Sequence, residues 1–496
     1  MTSPRSAAPR DQLEEADRLR QQGKLDRAEA ICNALTRRYP DYVAALHTLG
    51  LVYLDKRNYD LALNCLVRAS MLDPENWMTL TALSMAYLRL GATEMAAQTL
   101  ERALAIRPGD AAILATLGEI RREEREYELA EPCYREALAV DPHLETAAAG
   151  QALCLAAMGR NLEAAHVLEA AWRQGHRSLN LLHVMTTLPA GVLGIDLLAA
   201  LDALAARQGE AEPEFRNTFA FVRAAALDKA GRYAEAWEHL VMANRTIAAR
   251  CQTDLKASVV RQEKSLAWLR NARFASIEPG SETPISLFIL GPSRSGKTSL
   301  ERLIGSLDGV KAGYENPIIE NAVRRTYRAA AMPASTYLEE LPAVLWPAFR
   351  ENYRKDLLRR AGQARVFTNT LHGGIHDAAI VARLVPNSRF LIMKRDPDDV
   401  ALRMYMTKYL AANSYAYDMR SIRDYLRWYD QMADLTVEKI PGICRIVHYE
   451  AMAGDPGTTL RQAAELCGLA AGDIGATTCG DDRGCATPYL ELMHRP

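Results

Sequence analysis

The strongest chemical signal in the chain is a run of eight residues, Gly291-Pro292-Ser293-Arg294-Ser295-Gly296-Lys297-Thr298, which fits the spacing Gly-x-x-x-x-Gly-Lys-Ser/Thr in full. Glycines at its first and sixth positions let the backbone come close to an anion. Successive N–H groups can then converge on it, while Lys297 adds a point charge and Thr298 a hydroxyl. The residues before it, Ile285 to Leu290, are mostly apolar with strand character. Those after it place Leu300, Leu303, Ile304 and Leu307 at helical spacing. Strand, loop and helix in that order predict a site for a phosphate-type group; the competing reading is a turn with no ligand.

Further elements must hold that unit. Strand patterns recur at 365–368, 389–393 and 443–448, separated by helical patterns at 377–384, 400–410 and 421–438. Alternation of this kind predicts a three-layer α/β/α domain over 284–496 with a mostly parallel sheet, its ligands lying at the carboxyl ends of the strands. The first half reads differently. From Pro9 to Pro142 one pattern returns every 34 residues: small residues at Ala16, Gly50, Ser84, Gly118 and Ala152, alanines at Ala28, Ala62, Ala96, Ala130 and Ala164, prolines at Pro40, Pro74, Pro108 and Pro142. Small residues where two helices cross and a proline opening the next pair are the marks of a tetratricopeptide (TPR) solenoid. The phase is lost in atypical helices around 178–210 and resumes at Ala224, Leu227, Gly231 and Ala236, so the array is expected over 9–250. A connecting helix and a turn-rich linker are expected over 251–283. The whole is all-helical followed by α/β.

At 496 residues the chain needs more than one core, and its formal net charge of -1 gives no reason to expect nucleic acid or a membrane surface as partner. Nine cysteines without CxxC or metal-ligand spacing suit a reducing compartment, and no metal site is expected. Met1 to Gln12 has no apolar core of signal-peptide type and no long apolar run follows, which predicts a cytoplasmic protein without membrane insertion. Solenoids of this kind present a concave groove, so a protein or peptide held there is the expected partner; a spacer or a homodimer surface is the plainer alternative.

Three segments together carry a resemblance. The loop with its following Leu300-Glu301 resembles the 5'-phosphosulfate loop of sulfotransferases that use 3'-phosphoadenosine 5'-phosphosulfate (PAPS). The run Lys394-Arg395-Asp396-Pro397-Asp398-Asp399 is similar to that family's 3'-phosphate turn, and Val447-His448-Tyr449-Glu450 to Asp455-Pro456 is similar to a later strand and turn. With the repeats, the chain resembles the TPR-fused branch. The resemblance implies PAPS as sulfuryl donor, with Gly291, Arg294, Ser295, Gly296, Lys297, Thr298 and Ser299 around its 5' end and Arg395 on its 3'-phosphate. Arg403 stands where the family has a serine, as a second cation that could bind this phosphate or block its pocket.

Sulfuryl transfer asks mainly for positioning and charge stabilisation, which Arg294 and Lys297 can supply. A hydroxyl acceptor also needs a base. The resemblance places Glu315, in Tyr314-Glu315-Asn316-Pro317, in that role, with His372 and His376 as rivals because they follow the strand at 365–368; His448 reads as structural. The expected function is sulfuryl transfer to a hydroxyl on a protein or glycan presented by the groove. Two alternatives compete: an ATP- or GTP-dependent kinase or nucleoside triphosphatase using the same loop, and a TPR interaction module whose sulfotransferase half is degenerate. The nucleotide enzymes need an acidic magnesium ligand at a strand end, where this chain has Lys394-Arg395-Asp396.

Overall fold

A computed structural model describes residues 9–207, 212–272, 284–332, 338–371, 374–385, 387–409, 413–470 and 481–494. The chain forms two compact units, Met1–Gly194 and Ile195–Pro496.

The first unit is helical throughout its described elements. Five helix pairs run from Pro9–Gln21 with Leu25–Arg38 to Glu145–Ala157 with Asn161–Arg173, and the helix Leu179–Thr187 follows. Steric need explains the 34-residue pattern. The five recurring alanines, Ala28, Ala62, Ala96, Ala130 and Ala164, are all 0% exposed. A Cβ at Gly50 would come within 2.5 Å of Leu66 Cγ, and one at Gly150 within 2.4 Å of Tyr134 Cζ. Backbones this close leave no space for a side chain, so periodicity in residue size becomes periodicity in helix crossing. Asn58, Asn76 and Asp110 cap the helices that follow them, each accepting a backbone N–H in the first turn.

The second unit contains a five-stranded sheet: β1 (Ile285–Leu290), β2 (Val310–Lys311), β3 (Val366–Leu371), β4 (Ser388–Lys394) and β5 (Cys444–His448). Their order is β2-β3-β1-β4-β5 and every pairing is parallel. Parallel strands require crossovers, and burial on both faces explains their apolar composition. Alternate residues serve opposite cores. Phe288, Leu290, Phe390 and Ile392 face one apolar cluster; Leu287, Ile289, Leu391 and Met393 face the other. Strand order reverses at β1, which pairs with β3 on one side and β4 on the other, and the loop leaves β1 at that crevice.

Sequence patterning missed β2, only two residues long, and the helices Ile318–Ala329 and Trp346–Ala361. The helix expected over 400–410 spans Pro397–Tyr405, because Asp396 caps it by accepting from the N–H groups of Asp398 and Asp399. Residues 195–250, read from sequence with the array, group by compactness with the α/β body. Ala220, Phe221, Ala224, Leu227, Ala236, Leu240 and Ala243 belong to the same apolar cluster as one face of the sheet. The helix Gln252–Asn271 joins them: Trp428 Nε1 donates to Gln262 O at 2.9 Å, and Asn244 Nδ2 donates to Tyr405 O at 2.8 Å.

Candidate anion-binding site

The loop turns through Arg294, at φ 66°, and Gly296, at φ 99°, into the helix Lys297–Gly305. The left-handed backbone at Gly296 suits glycine alone here, since a Cβ would lie 2.4 Å from Tyr449 Cδ2. The first four N–H groups of any helix lack an intrahelical acceptor, so those of this helix are available to an anion at the carboxyl edge of β1. Gly291, Ser293 and Ser295 are buried, whereas Arg294 and Thr298 are exposed and Ser299 is half-buried. Ser295 Oγ is buried with no hydrogen-bond partner among the described residues. A cradle of backbone amides with an unspent buried hydroxyl fits the 5' end of a phosphosulfate donor.

Lys297 is 5% exposed, and its ammonium donates to the loop's own carbonyls, Gly291 O at 2.9 Å and Pro292 O at 2.8 Å. Burial pushes its pKa down to about 8; the charge of Glu315 opposes the shift, Arg294 adds to it, and Glu301 opposes it. Glu315 is half-buried in the turn before the helix Ile318–Ala329, within electrostatic reach of Lys297 and Glu301. The predicted base and the predicted loop lysine therefore share one site.

A carboxylate that sequence reasoning left without a role explains how. Glu301, one turn after Lys297, is 0% exposed. Its Oε1 accepts from Tyr314 N–H at 2.8 Å and from the Thr368 hydroxyl, and its Oε2 from Thr370 Oγ1 at 2.8 Å. Glu301 thus ties the loop helix to β3 and to the turn that carries Glu315. Burial raises its pKa, against the bonds from Thr368, Thr370 and Tyr314.

Arg395, at the end of β4, reaches the loop from the other side: its Nη1 donates to Arg294 O at 3.3 Å, and its guanidinium lies 4.3 Å from the centroid of the Tyr449 ring. Arg403, two turns further along the helix that follows, grips the Asp482 carboxylate through Nε at 3.1 Å and Nη2 at 2.6 Å. Arg395 Nη2 reaches the same carboxylate, Oδ2, at 3.2 Å. The two arginines are thus brought together, and an acidic residue distant in sequence joins them. Asp396, the carboxylate a nucleoside triphosphatase would need, is engaged as a helix cap.

His372 lies outside the described residues. His376 packs away from the loop, its ring 4.6 Å from that of Trp428 and Nδ1 2.8 Å from Ser265 Oγ. His448 is exposed at the end of β5. Tyr409 was not singled out by sequence, yet its hydroxyl donates to Ser293 Oγ in the loop at 3.0 Å; no spacing signal relates those positions.

Fold and loop together define a phosphate-loop α/β domain in a chain that also carries a helical repeat array. Residues 284–473 match the model of the sulfotransferase family, and residues 13–63, 47–111 and 111–144 match tetratricopeptide repeat models. The chain thus carries tetratricopeptide repeats in its first half and a domain matching the sulfotransferase family in its second. A protein of Aquifex aeolicus whose function is uncharacterised is 22% identical over 270 residues, covering 51% of this chain and 35% of its own length; the chain thus matches only about a third of that relative. Two solved structures are similar in part. A tetratricopeptide repeat protein from Parabacteroides merdae is 20% identical, covering 47% of this chain and 91% of its own, with TM-score 0.38. YrrB, described as a TPR protein with an unusual peptide-binding site, is 20% identical, covering 35% of this chain and 90% of its own, with TM-score 0.32. No helix among the described residues is long and apolar enough to cross a membrane.

Proposed function

We propose that the chain transfers a sulfuryl group from PAPS to a hydroxyl acceptor on a protein or glycan recruited through the repeat groove. The observation that carries this reading is the meeting of the loop with Arg395, whose guanidinium touches the Arg294 carbonyl, so that amides for a 5'-phosphosulfate and a cation for a 3'-phosphate border one site. The donor supplies an activated sulfuryl group on a good leaving phosphate. The chain's own residues do the rest. The amides of Gly296 to Ser299, with Ser295 Oγ, bind the anionic oxygens. Lys297, released from the Gly291 and Pro292 carbonyls, neutralises charge as it moves to the leaving oxygen. Arg294, exposed on the loop, meets the sulfuryl oxygens, and Glu315 takes the proton of the attacking hydroxyl.

The test has two stages. Isothermal titration should show adenosine 3',5'-bisphosphate binding to the folded protein; absence of binding defeats the reading. With a labelled donor and acceptor panels of tyrosine peptides and glycans, Glu315→Gln should lower turnover by roughly 100-fold, the scale of losing a general base, while leaving bisphosphate affinity intact. Loss of affinity without loss of turnover would place Glu315 in binding instead.

A further inference from the structure

We propose that Asp482 is a specificity-determining residue for the donor nucleotide, its carboxylate holding the seat between Arg395 and Arg403 that a 3'-phosphate would take. The inference rests on the sulfuryl-donor reading above and goes beyond it. The Arg395 side chain is only 3% exposed, and buried guanidinium groups need an anion. Here the anions belong to the chain: Asp399 Oδ2 lies 3.5 Å from Arg395 Nη2, and Asp482 bridges both arginines. Asp482 Oδ2 accepts from Arg395 Nη2 at 3.2 Å and from Arg403 Nε at 3.1 Å, while Oδ1 accepts from Arg403 Nη2 at 2.6 Å. These are the donors a phosphate would use, since a guanidinium fork grips carboxylate and phosphate oxygens by the same geometry.

The carboxylate is built into the fold. Asp482 N–H donates to the Tyr449 hydroxyl at 3.1 Å, and two and four residues further on the N–H groups of Gly484 and Ala486 each donate to Asp399 at 2.8 Å. Tyr489 then donates to Asp228 at 2.8 Å, and Asp228 lies 3.6 Å from Arg403 Nη1. Both arginines are therefore already neutralised. A nucleotide with a 3'-phosphate must displace a pinned carboxylate of like charge to reach them, whereas one with a 3'-hydroxyl forgoes only that contact. The predicted result is weak discrimination between the two nucleotides.

The experiment is isothermal titration of the full chain with adenosine 3',5'-bisphosphate and with adenosine 5'-monophosphate, using wild type, Asp482→Ala and Asp482→Asn. The asparagine variant keeps the side-chain shape and removes the charge. In wild type the two affinities should agree within about threefold, and in both variants the bisphosphate should gain about tenfold or more over the monophosphate. Asp481→Asn, whose carboxylate bonds Arg483, should leave the ratio as in wild type. An unchanged ratio in the Asp482 variants overturns the inference while leaving the donor reading in place. Equal tightening of both nucleotides also overturns it, because the segment would then cover the site as a whole. Failure of every protein to bind either nucleotide overturns the donor reading itself.

Discussion

Lys297 offers the sharpest test of the loop, because its surroundings make a quantitative statement about protons. The ammonium is buried with Glu315, Arg294 and Glu301 as its charged neighbours, and its pKa stands at about 8 instead of 10.5. A depression of that size corresponds to about 3 kcal/mol against the charged form. An anion placed among the loop amides would remove most of this penalty and return the pKa towards its ordinary value. Binding must then take up a proton wherever the free lysine is partly neutral and the bound one charged. Uptake should be about 0.1 proton at pH 7, about half a proton at pH 8 and about 0.9 at pH 9, and affinity should fall roughly tenfold from pH 7 to pH 9. Above pH 7.5 the nucleotide's own phosphates are ionised and add little. Titration of adenosine 3',5'-bisphosphate in two buffers of different ionisation enthalpy reads the uptake directly. Lys297→Met, which keeps the apolar stem, should abolish both the uptake and the pH dependence. Tight binding at pH 8.5 with no buffer dependence would refute the reasoning, since the lysine would then be fully charged before any ligand arrives. Undiminished uptake in Lys297→Met would assign the proton to another group.

Glu301 should behave as a buried acid. Its raised pKa means that the folded chain holds the proton longer than the unfolded one, so its contribution to stability is complete at low pH and is lost as pH rises from the ordinary carboxylate value through the raised one. Glu301→Gln, which mimics the protonated acid, should flatten that dependence in denaturant titrations from pH 4 to pH 8 while matching wild type at the low-pH end, whereas Glu301→Ala, which strands three donors, should cost about 3 kcal/mol; equal losses in the two variants would show that the charge itself is required. Gly296→Ala should lose roughly 2 kcal/mol or more of stability and about tenfold or more in nucleotide affinity, because its Cβ meets the Tyr449 ring that backs Arg395. In the first unit, Gly150→Ala should lower the urea midpoint of the helical signal: the helix-propensity gain of about 1 kcal/mol is smaller than the strain of a Cβ placed 2.4 Å from Tyr134 Cζ. A raised midpoint would show that Tyr134 moves aside freely.

What could be read from sequence follows the range of the interaction. The repeats were legible because each crossing recurs at one spacing, and Ala28 to Ala164 show it as five closed contacts. The loop was legible because its glycines, lysine and flanking apolar runs are contiguous. Strand ends shifted by one to three residues, as at β3, where the pattern stopped at Thr368 and the strand continues to Leu371. The polar Asn369 and Thr370 hid that extension: both are buried, Thr370 bonding Glu301 and Asn369 bonding Asn316. The partner of the two arginines was not legible at all. Asp482 lies 87 residues from Arg395, in a segment of ordinary polar composition, and only the chain's return along Tyr449 and Asp399 brings it there. Glu301 was invisible in its role for a similar reason, since an acidic residue in an early helical turn reads as solvated until its three donors are seen.

The apolar cluster shared by the last repeat-like helices and the sheet bears on how such a chain is inherited and cut. The family match starts at Pro284, yet a fragment severed there would leave the Trp428 indole without its acceptor Gln262, His376 without Ser265, and the Tyr405 carbonyl without Asn244. It would also uncover the aromatic contacts of Trp237 with Tyr405 and of Tyr233 with Tyr489, at 5.1 Å and 5.2 Å. Ile195–Pro496 is one compact unit, so recombination that respects its packing exchanges the sulfotransferase-family domain together with the four helices before its first strand.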